Sequence, residues 1–462
     1  MDVKNKRVIV LGMARSGVAA AKLLAKRGAV VTISDMKTEE SFGGALDELK
    51  ALGCTFALGE GPQKYLADQD MMILSPGIPV AKPFVQEAIA GGVEVIGELE
   101  LGARMMRGGL CAITGTNGKT TTTTLVGELF RATGRPTHVV GNIGYPITAD
   151  AGDMTDDDLT DDDLTVAEVS SYQCETISTF HPHVGAVLNI TEDHIARHGS
   201  MEAYIGMKRR IFANQTAEDW AVFNYDDPTC HEMAKGLAAK IAWFSRTQEV
   251  SCGVWVRDGM IVLNLGDGEK AICRADEVFI PGPHNLENAL AAVTIAGAMG
   301  VAPALMAPVL RTFRGVEHRI ETVRELDGVT FINDSKGTNV DSTQKAIATM
   351  TRPTVLILGG SDKGASFDPL AQTIIAAPQI VHCVLIGDTA EKIKAALDKA
   401  GYTATTMAGY DFDLCLRLCR EKAPEGGCVL LSPACASFDM FNNCEERGDI
   451  FKDIVQKMTA RA

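Results

Sequence analysis

Ile113 to Thr121 reads ITGTNGKTT, set between a strand-like LCAI and a helix-like LVGELFRATG. Gly115 and Gly118 let main-chain amides turn toward an anion, the following helix N-terminus adds partial positive charge, and Lys119 reaches outer phosphates. Thr120 would place a hydroxyl on a metal ion. The strict GxxxxGK[ST] pattern is not met, because Ile113 stands where its first glycine belongs. A nucleotide phosphate loop is still the better reading than a plain strand-to-helix turn. Thr120 to Thr124 are five β-branched residues and a poor helix start by propensity. Either their hydroxyls are used or the helix start is tightly packed.

Other polar residues fall at the ends of apolar runs. Glu168 ends LTVAEVSS, where a carboxylate can face magnesium held over phosphates, or simply be solvated. His194 in NITEDHIARHGS reads equally as ligand or structural histidine. Asn285 and Asn288 in PGPHNLENAL lie one helical turn apart and face the same way, with N-capping as the alternative for Asn285. Arg319 is a fixed cation suited to phosphate, or to a surface ion pair. FINDSKGTN ends a strand with Asp334, Lys336 and Thr338, whose alternation would put them on one side. LGMARSG, with Asp35 closing the next strand, meets a loose GxAxxG dinucleotide fingerprint. Alone it would suggest NAD and hydride transfer, which leaves the phosphate loop unused.

The elements needed to hold these residues alternate between strand and helix. RVIVLG, VVTISD, MMILSPG and VEVIGELE form a first α/β segment, residues 1–103, expected to be Rossmann-like. Residues 104–314 form a central P-loop-type domain with a mostly parallel sheet. WVRDGMIVLNLG there reads as a hairpin turning at Asp258-Gly259. Residues 315–462 carry TFINDSKG, TVLILGG, HCVLIGD and CVLLSPA, strands of a second Rossmann-like sheet whose carboxyl ends should hold ligands.

Composition narrows the function classes. A chain of 462 residues needs more than one core, and 46% hydrophobic with 22% charged residues is ordinary for a globular protein. A net charge of −15 argues against nucleic-acid binding. Part of that charge sits in Asp150 to Leu164, where TDDDL occurs twice and a solvated loop is expected. Twelve scattered cysteines without a CxxC pair read as reduced thiols in a cytoplasmic protein. No leader is expected, since the chain runs straight into RVIVLG. The uncharged stretch Ala289 to Leu310 could span a bilayer by length, but Gly300 and Pro303 should split it into two packed helices.

TGTNGKTT resembles the ATP loop of the Mur ligase family, and motifs along the whole chain extend that resemblance. It implies ATP contacts from Gly115, Thr116, Asn117, Gly118, Lys119, Thr120, Thr121, Asn285, Asn288, Arg319, Asp334 and Lys336. EVSSYQ is similar to the family's Glu-x-Ser-Ser-Phe-Gln, and NITEDH to its Asn-x-x-x-Asp-His. Two Mg2+ ions would then involve Thr120, Glu168, His194 and Lys208, the last as a carbamate, with Lys119, His194 and Lys208 catalytic. The Gly12 loop would bind a UDP moiety rather than NAD, through Ser16, Gly17, Asp35 and Ser75, with Asn142 and His194 further along that substrate.

The form Asp-Ser-Lys-x-Thr-Asn, with LILGGSDKGASF and LLSPACASFDMF, resembles the D-glutamate-adding branch and implies Thr338, Lys363 and Ser437 as glutamate contacts. Ala196, Gly337 and Cys444 depart from the family pattern, which has Asp, Ala and an aromatic residue at these places. The activity implied is ATP-driven addition of D-glutamate to UDP-N-acetylmuramoyl-L-alanine through an acyl phosphate, by a cytoplasmic monomer. A sister ligase with another amino acid, or an NTPase switch without ligation, are the competing expectations.

Overall fold

The computed structural model describes residues 1–42, 44–149, 160–362 and 364–460. The first TDDDL and Lys363 therefore lie outside the described residues. Three sheets follow one another along the chain. The first is built from β1 (Arg7–Leu11), β2 (Val30–Asp35), β3 (Thr55–Leu58), β4 (Met71–Leu74) and β5 (Glu94–Gly97), in the parallel order β3-β2-β1-β4-β5. Successive side chains of β1 go to opposite faces. Val8 and Val10 pack with Ala20, Ala21 and Leu24 of helix Arg15–Lys26, while Ile9 and Leu11 pack with Val85 and Ala88 of helix Pro83–Ala90. A parallel sheet covered on both faces needs such unbroken apolar strands. β3 was not anticipated, because a short edge strand with partly exposed residues carries little of that signal.

The second sheet holds β6 (Gly109–Thr114), β7 (Thr137–Gly141), β8 (Leu164–Glu168), β9 (Val184–Val187), β10 (Trp220–Asn224), β11 (Lys240–Ser245), β12 (Gly253–Arg257), β13 (Met260–Asn264) and β14 (Lys270–Arg274). Its order is β14-β13-β12-β11-β10-β9-β6-β8-β7, parallel from β7 to β12 and antiparallel through β13 and β14. Asp258 (φ 51°) and Gly259 (φ 77°) make the expected two-residue turn, both left-handed as a type I′ hairpin requires. Ala289 to Leu310 divides into helices Pro283–Ala298 and Pro303–Thr312 around Gly300 (φ 83°). Among the described residues no helix is long and apolar enough to cross a membrane.

The third sheet comprises β15 (Glu321–Leu326), β16 (Val329–Asn333), β17 (Thr354–Gly359), β18 (Ile380–Ile386), β19 (Thr405–Gly409) and β20 (Cys428–Leu431). Its order is β15-β16-β20-β17-β18-β19, all parallel except β15. The chain forms two compact units, residues 1–279 with 285–313, and residues 280–284 with 314–462. The first two sheets share one unit because helix Glu98–Ala103 is bonded into the second. Buried Glu98 accepts from the amide and hydroxyl of Thr148 at 2.8 and 2.7 Å. Glu100 accepts from the amides of Ser178, Thr179 and Phe180 at 2.9, 2.9 and 3.0 Å.

A Cβ on Gly17 would lie 1.8 Å from the carbonyl oxygen of Gly12, so only glycine lets this helix start so close to the loop. Gly17→Ala is expected to lower stability by on the order of 3 kcal/mol, the upper end for ordinary substitutions. Denaturant unfolding of the full chain checks this.

Candidate active site

β6 delivers the Gly115–Gly118 loop from the middle of its sheet, with Cys111, Ala112, Ile113 and Thr114 all buried. Gly115 (φ 148°) and Gly118 (φ 83°) take conformations open to glycine, and Gly118 caps helix Lys119–Arg131. The loop is braced from the segment after β9. Thr116 donates to the Thr191 carbonyl at 3.0 Å, and the Asn189 side chain accepts from the Asn117 amide and donates to its carbonyl at 2.9 and 3.0 Å. Lys119 Nζ donates to the carbonyls of Gly115 and Thr116 at 2.9 and 2.7 Å.

The threonine run serves both purposes considered from the sequence. Thr121, Thr122 and Thr123 are buried, which accounts for tight packing. Thr120 donates its hydroxyl to Glu168 Oε2 at 2.8 Å, and Asn142 Nδ2 donates to Glu168 Oε1 at 2.8 Å. Asn142 thus orients Glu168, at the end of β8. Thr122 donates to Asn288 Oδ1 at 3.4 Å, and Asn288 Nδ2 to Asn285 Oδ1 at 3.2 Å, so the asparagine pair lies against the loop's helix.

Lys208, on helix Met201–Arg209, reaches the same place. Its Nζ donates to the Gly115 carbonyl at 2.8 Å and to Thr114 Oγ1 at 3.3 Å, over the Tyr204 ring at 4.7 Å. The side chain is 2% exposed, and burial, then the charge of Lys119, pushes its pKa down to about 7. A basic surface face, the sequence default, is therefore not what this lysine forms. His194 (φ 55°) has its Nδ1 2.9 Å from the Tyr172 hydroxyl and its Nε2 3.4 Å from Asp193.

At the first sheet the strand order reverses between β1 and β4, the place where open α/β sheets take ligands. Gly12 (φ 93°) and Ser75 meet there, the hydroxyl 3.4 Å from the Gly12 carbonyl. Ser16 and Gly17 lie in the first turn of helix Arg15–Lys26. Asp35 accepts from the amides of Met13 and Lys37 at 2.7 and 2.9 Å, so its carboxylate shapes this loop.

In the second unit β16 ends at Asn333, and Asp334 to Gly337 form a turn closed by Gly337 N to Asp334 O at 2.8 Å. The alternation expected for Asp334, Lys336 and Thr338 does not hold, since a turn lacks the two-residue period of a strand. Asp334 is buried and accepts from Ser432 Oγ at 2.7 Å, while Lys336 and Thr338 are half-buried. Lys336 Nζ lies 3.6 Å from Glu445. Arg319 is half-buried and acts electrostatically on Asp334. Ser437 is buried beyond β20. At Cys444 the main chain does the work, its carbonyl accepting from Ser335 Oγ at 2.7 Å.

Sequence reasoning passed over Asn189, Tyr172, Tyr204 and Arg447. Asn189 opens NITEDH and could have been noticed at its strand end. The others act through bonds to residues distant in sequence, which no local pattern displays.

Three family models match in succession: the Mur ligase MurD-like N-terminal domain at residues 6–97, the Mur ligase middle domain at 113–296, and the Mur ligase glutamate ligase domain at 318–435. The UDP-N-acetylmuramoylalanine–D-glutamate ligase of Pelotomaculum thermopropionicum is 46% identical over 454 residues, 98% of each chain. That of Clostridioides difficile is 43% identical over 460 residues, 99% of this chain and 100% of the relative. Among solved structures, MurF of Acinetobacter baumannii superposes with a TM-score of 0.63 at 17% identity, covering 97% of this chain and 93% of its own. The UDP-N-acetylmuramate–alanine ligase of Thermotoga maritima gives 0.59 at 17% identity, over 98% and 99%. These two likenesses concern the fold.

Burial pushes Asp334 up to about 6, although Arg319 and the Ser432 hydroxyl pull it down. The folded chain then holds this proton more tightly than the unfolded chain, so stability falls as pH rises from about 4 to about 6. Asp334→Asn is expected to be more stable than the parent by about 2–3 kcal/mol near neutral pH, with the gain vanishing below that window. Thermal unfolding of both chains across the range tests it.

Proposed function

The chain belongs to the Mur ligase family, and on that premise we propose that it joins D-glutamate to UDP-N-acetylmuramoyl-L-alanine at the expense of ATP, in peptidoglycan synthesis. Full-length similarity to ligases of that name carries the choice of amino acid. The observation that carries the chemistry is the convergence of Lys119, Lys208, Thr120 and Glu168 around one phosphate loop. Residues 1–103 are assigned to the UDP substrate, 104–314 to ATP and 315–462 to the amino acid. The enzyme is read as a cytoplasmic monomer.

The loop amides from Gly115 to Thr121 take the ATP phosphates, and Lys119 follows the charge of the transferred group. Asn285, Asn288, Arg319, Asp334 and Lys336 are assigned to the rest of ATP. Ser16, Gly17 and Ser75 are assigned to the UDP moiety, Asp35 to shaping its loop, and Thr338, Lys363 and Ser437 to D-glutamate. The substrate carboxylate attacks the γ-phosphorus, forming an acyl phosphate and releasing ADP. The glutamate amine then attacks the acyl carbon, phosphate leaves with the C–O electron pair, and the nitrogen gives up a proton. Lys119 offsets charge in the first step, and water must be kept from the acyl phosphate.

The oxygen donors Thr120 and Glu168, already 2.8 Å apart, fit a hard divalent ion. Bound magnesium would neutralise phosphate charge there. A second ion suits His194, held at Nδ1 by the Tyr172 hydroxyl, together with a carbamate on Lys208. A pKa of about 7 leaves much of the Lys208 amine neutral near pH 7. The neutral amine adds carbon dioxide and loses one proton, leaving an anionic carbamate where the protonated lysine would be a cation.

Phosphate release with ATP and UDP-N-acetylmuramoyl-L-alanine is expected to rise with D-glutamate and not with L-glutamate, L-lysine or D-alanyl-D-alanine. A flat response to D-glutamate would sink the assignment. Lys119→Ala should reduce turnover by ~100-fold or more while calorimetric binding of the UDP substrate persists. With 13C-labelled bicarbonate, a carbamate resonance should appear in the parent chain and be missing from Lys208→Arg.

A further inference from the structure

Arg447 is 0% exposed and lies in the first turn of helix Cys444–Lys457. Its guanidinium meets no carboxylate within ion-pair distance among the described residues. Nε donates to Ser335 Oγ at 3.0 Å, and Nη2 to the carbonyls of Ser335 and Cys435 at 2.8 and 3.2 Å. Nη1 donates to the carbonyls of Cys435 and Ala436 at 3.2 and 3.3 Å. Burial pushes its pKa down to about 10.

A buried cation held only by neutral acceptors is a costly way to fill space, since an apolar side chain of similar volume would do so with less desolvation. What the guanidinium adds is a rigid planar fork. That fork joins two strand ends at the point where the sheet stops fixing them. β16 and β20 are paired up to Asn333 and Leu431. Beyond that register the turn leads to Thr338 on one side, and the other loop leads to Ser437, the residue after Ala436. The Ser432–Asp334 bond ties the near ends, and Arg447 ties the far ones.

We propose that Arg447 is a positioning residue for the amino-acid site, setting the separation of Thr338 and Ser437 to match the two carboxylates of an acidic amino acid. This rests on the D-glutamate reading above.

Steady-state kinetics of Arg447→Lys and Ser335→Ala test the proposal. Arg447→Lys keeps the charge and loses the fork, so KM for D-glutamate should rise ~10–100-fold. Its kcat at saturating D-glutamate, and KM for ATP and the UDP substrate, should stay near parental values, a split that a general loss of folding does not produce. Ser335→Ala removes one hydroxyl and should raise the same KM in the same direction, with a melting temperature lowered by a few degrees and unfolding still cooperative, and it decides the matter if Arg447→Lys does not fold. An unchanged KM for D-glutamate in the folded variants, or a uniform loss across all substrates, would overturn the assignment. If the parent itself shows no D-glutamate-dependent phosphate release, the reading beneath falls, and the proposal with it.

Discussion

Two ammonium groups share one main-chain oxygen at the heart of this protein. Lys119 and Lys208 both donate to the carbonyl of Gly115, which therefore accepts from residues 4 and 93 positions away in sequence. Burial first, and then the neighbouring charge of Lys119, hold the pKa of Lys208 down. Such a pair is tolerable where a strongly anionic partner belongs. The rest of the first unit is arranged to hold that tension in place. β6 and β8 bring the loop and Glu168 side by side, Asn189 clamps the loop from the β9 side, and Tyr204 lies under Lys208 with its hydroxyl 3.0 Å from Thr116.

The second unit faces a related problem with a different solution. The two turns assigned to substrate leave the carboxyl ends of β16 and β20, where sheet pairing no longer constrains them. Buried polar bonds take over, from Asp334 to Ser432 and from Arg447 to Ser335, Cys435 and Ala436. Each places a polar or charged group where an apolar one would be more stable, and each lies next to a residue assigned to substrate. Stability given up near a site, in return for defined geometry, is a common feature of enzymes.

Two departures from the family pattern, Cys444 and Tyr172, are absorbed locally. At Cys444 the contact to the Asp-Ser-Lys turn is made by a main-chain carbonyl, which any side chain leaves intact. Tyr172 stands where phenylalanine is usual and gives His194 a hydroxyl partner.

The sequence by itself determined the α/β class, the glycine-turned loop between β6 and its helix, the hairpin at Asp258-Gly259 and the family, because each is written in short-range patterns. Gly-Lys-Thr after an apolar strand, Asp-Gly between alternating residues and apolar runs bounded by glycine all express local backbone and burial physics. Edge strands such as β3 escaped, since half-exposed residues blur the pattern. Asp334, Lys336 and Thr338 do not alternate across a strand because β16 ends at Asn333, before the first of them. Only tertiary structure could decide that Lys208 is buried against the loop, that Asn142 holds Glu168, and that Arg447 bridges two turns. Those facts depend on which strand ends become neighbours. Sheet order brings together residues tens of positions apart, and no local pattern encodes that order.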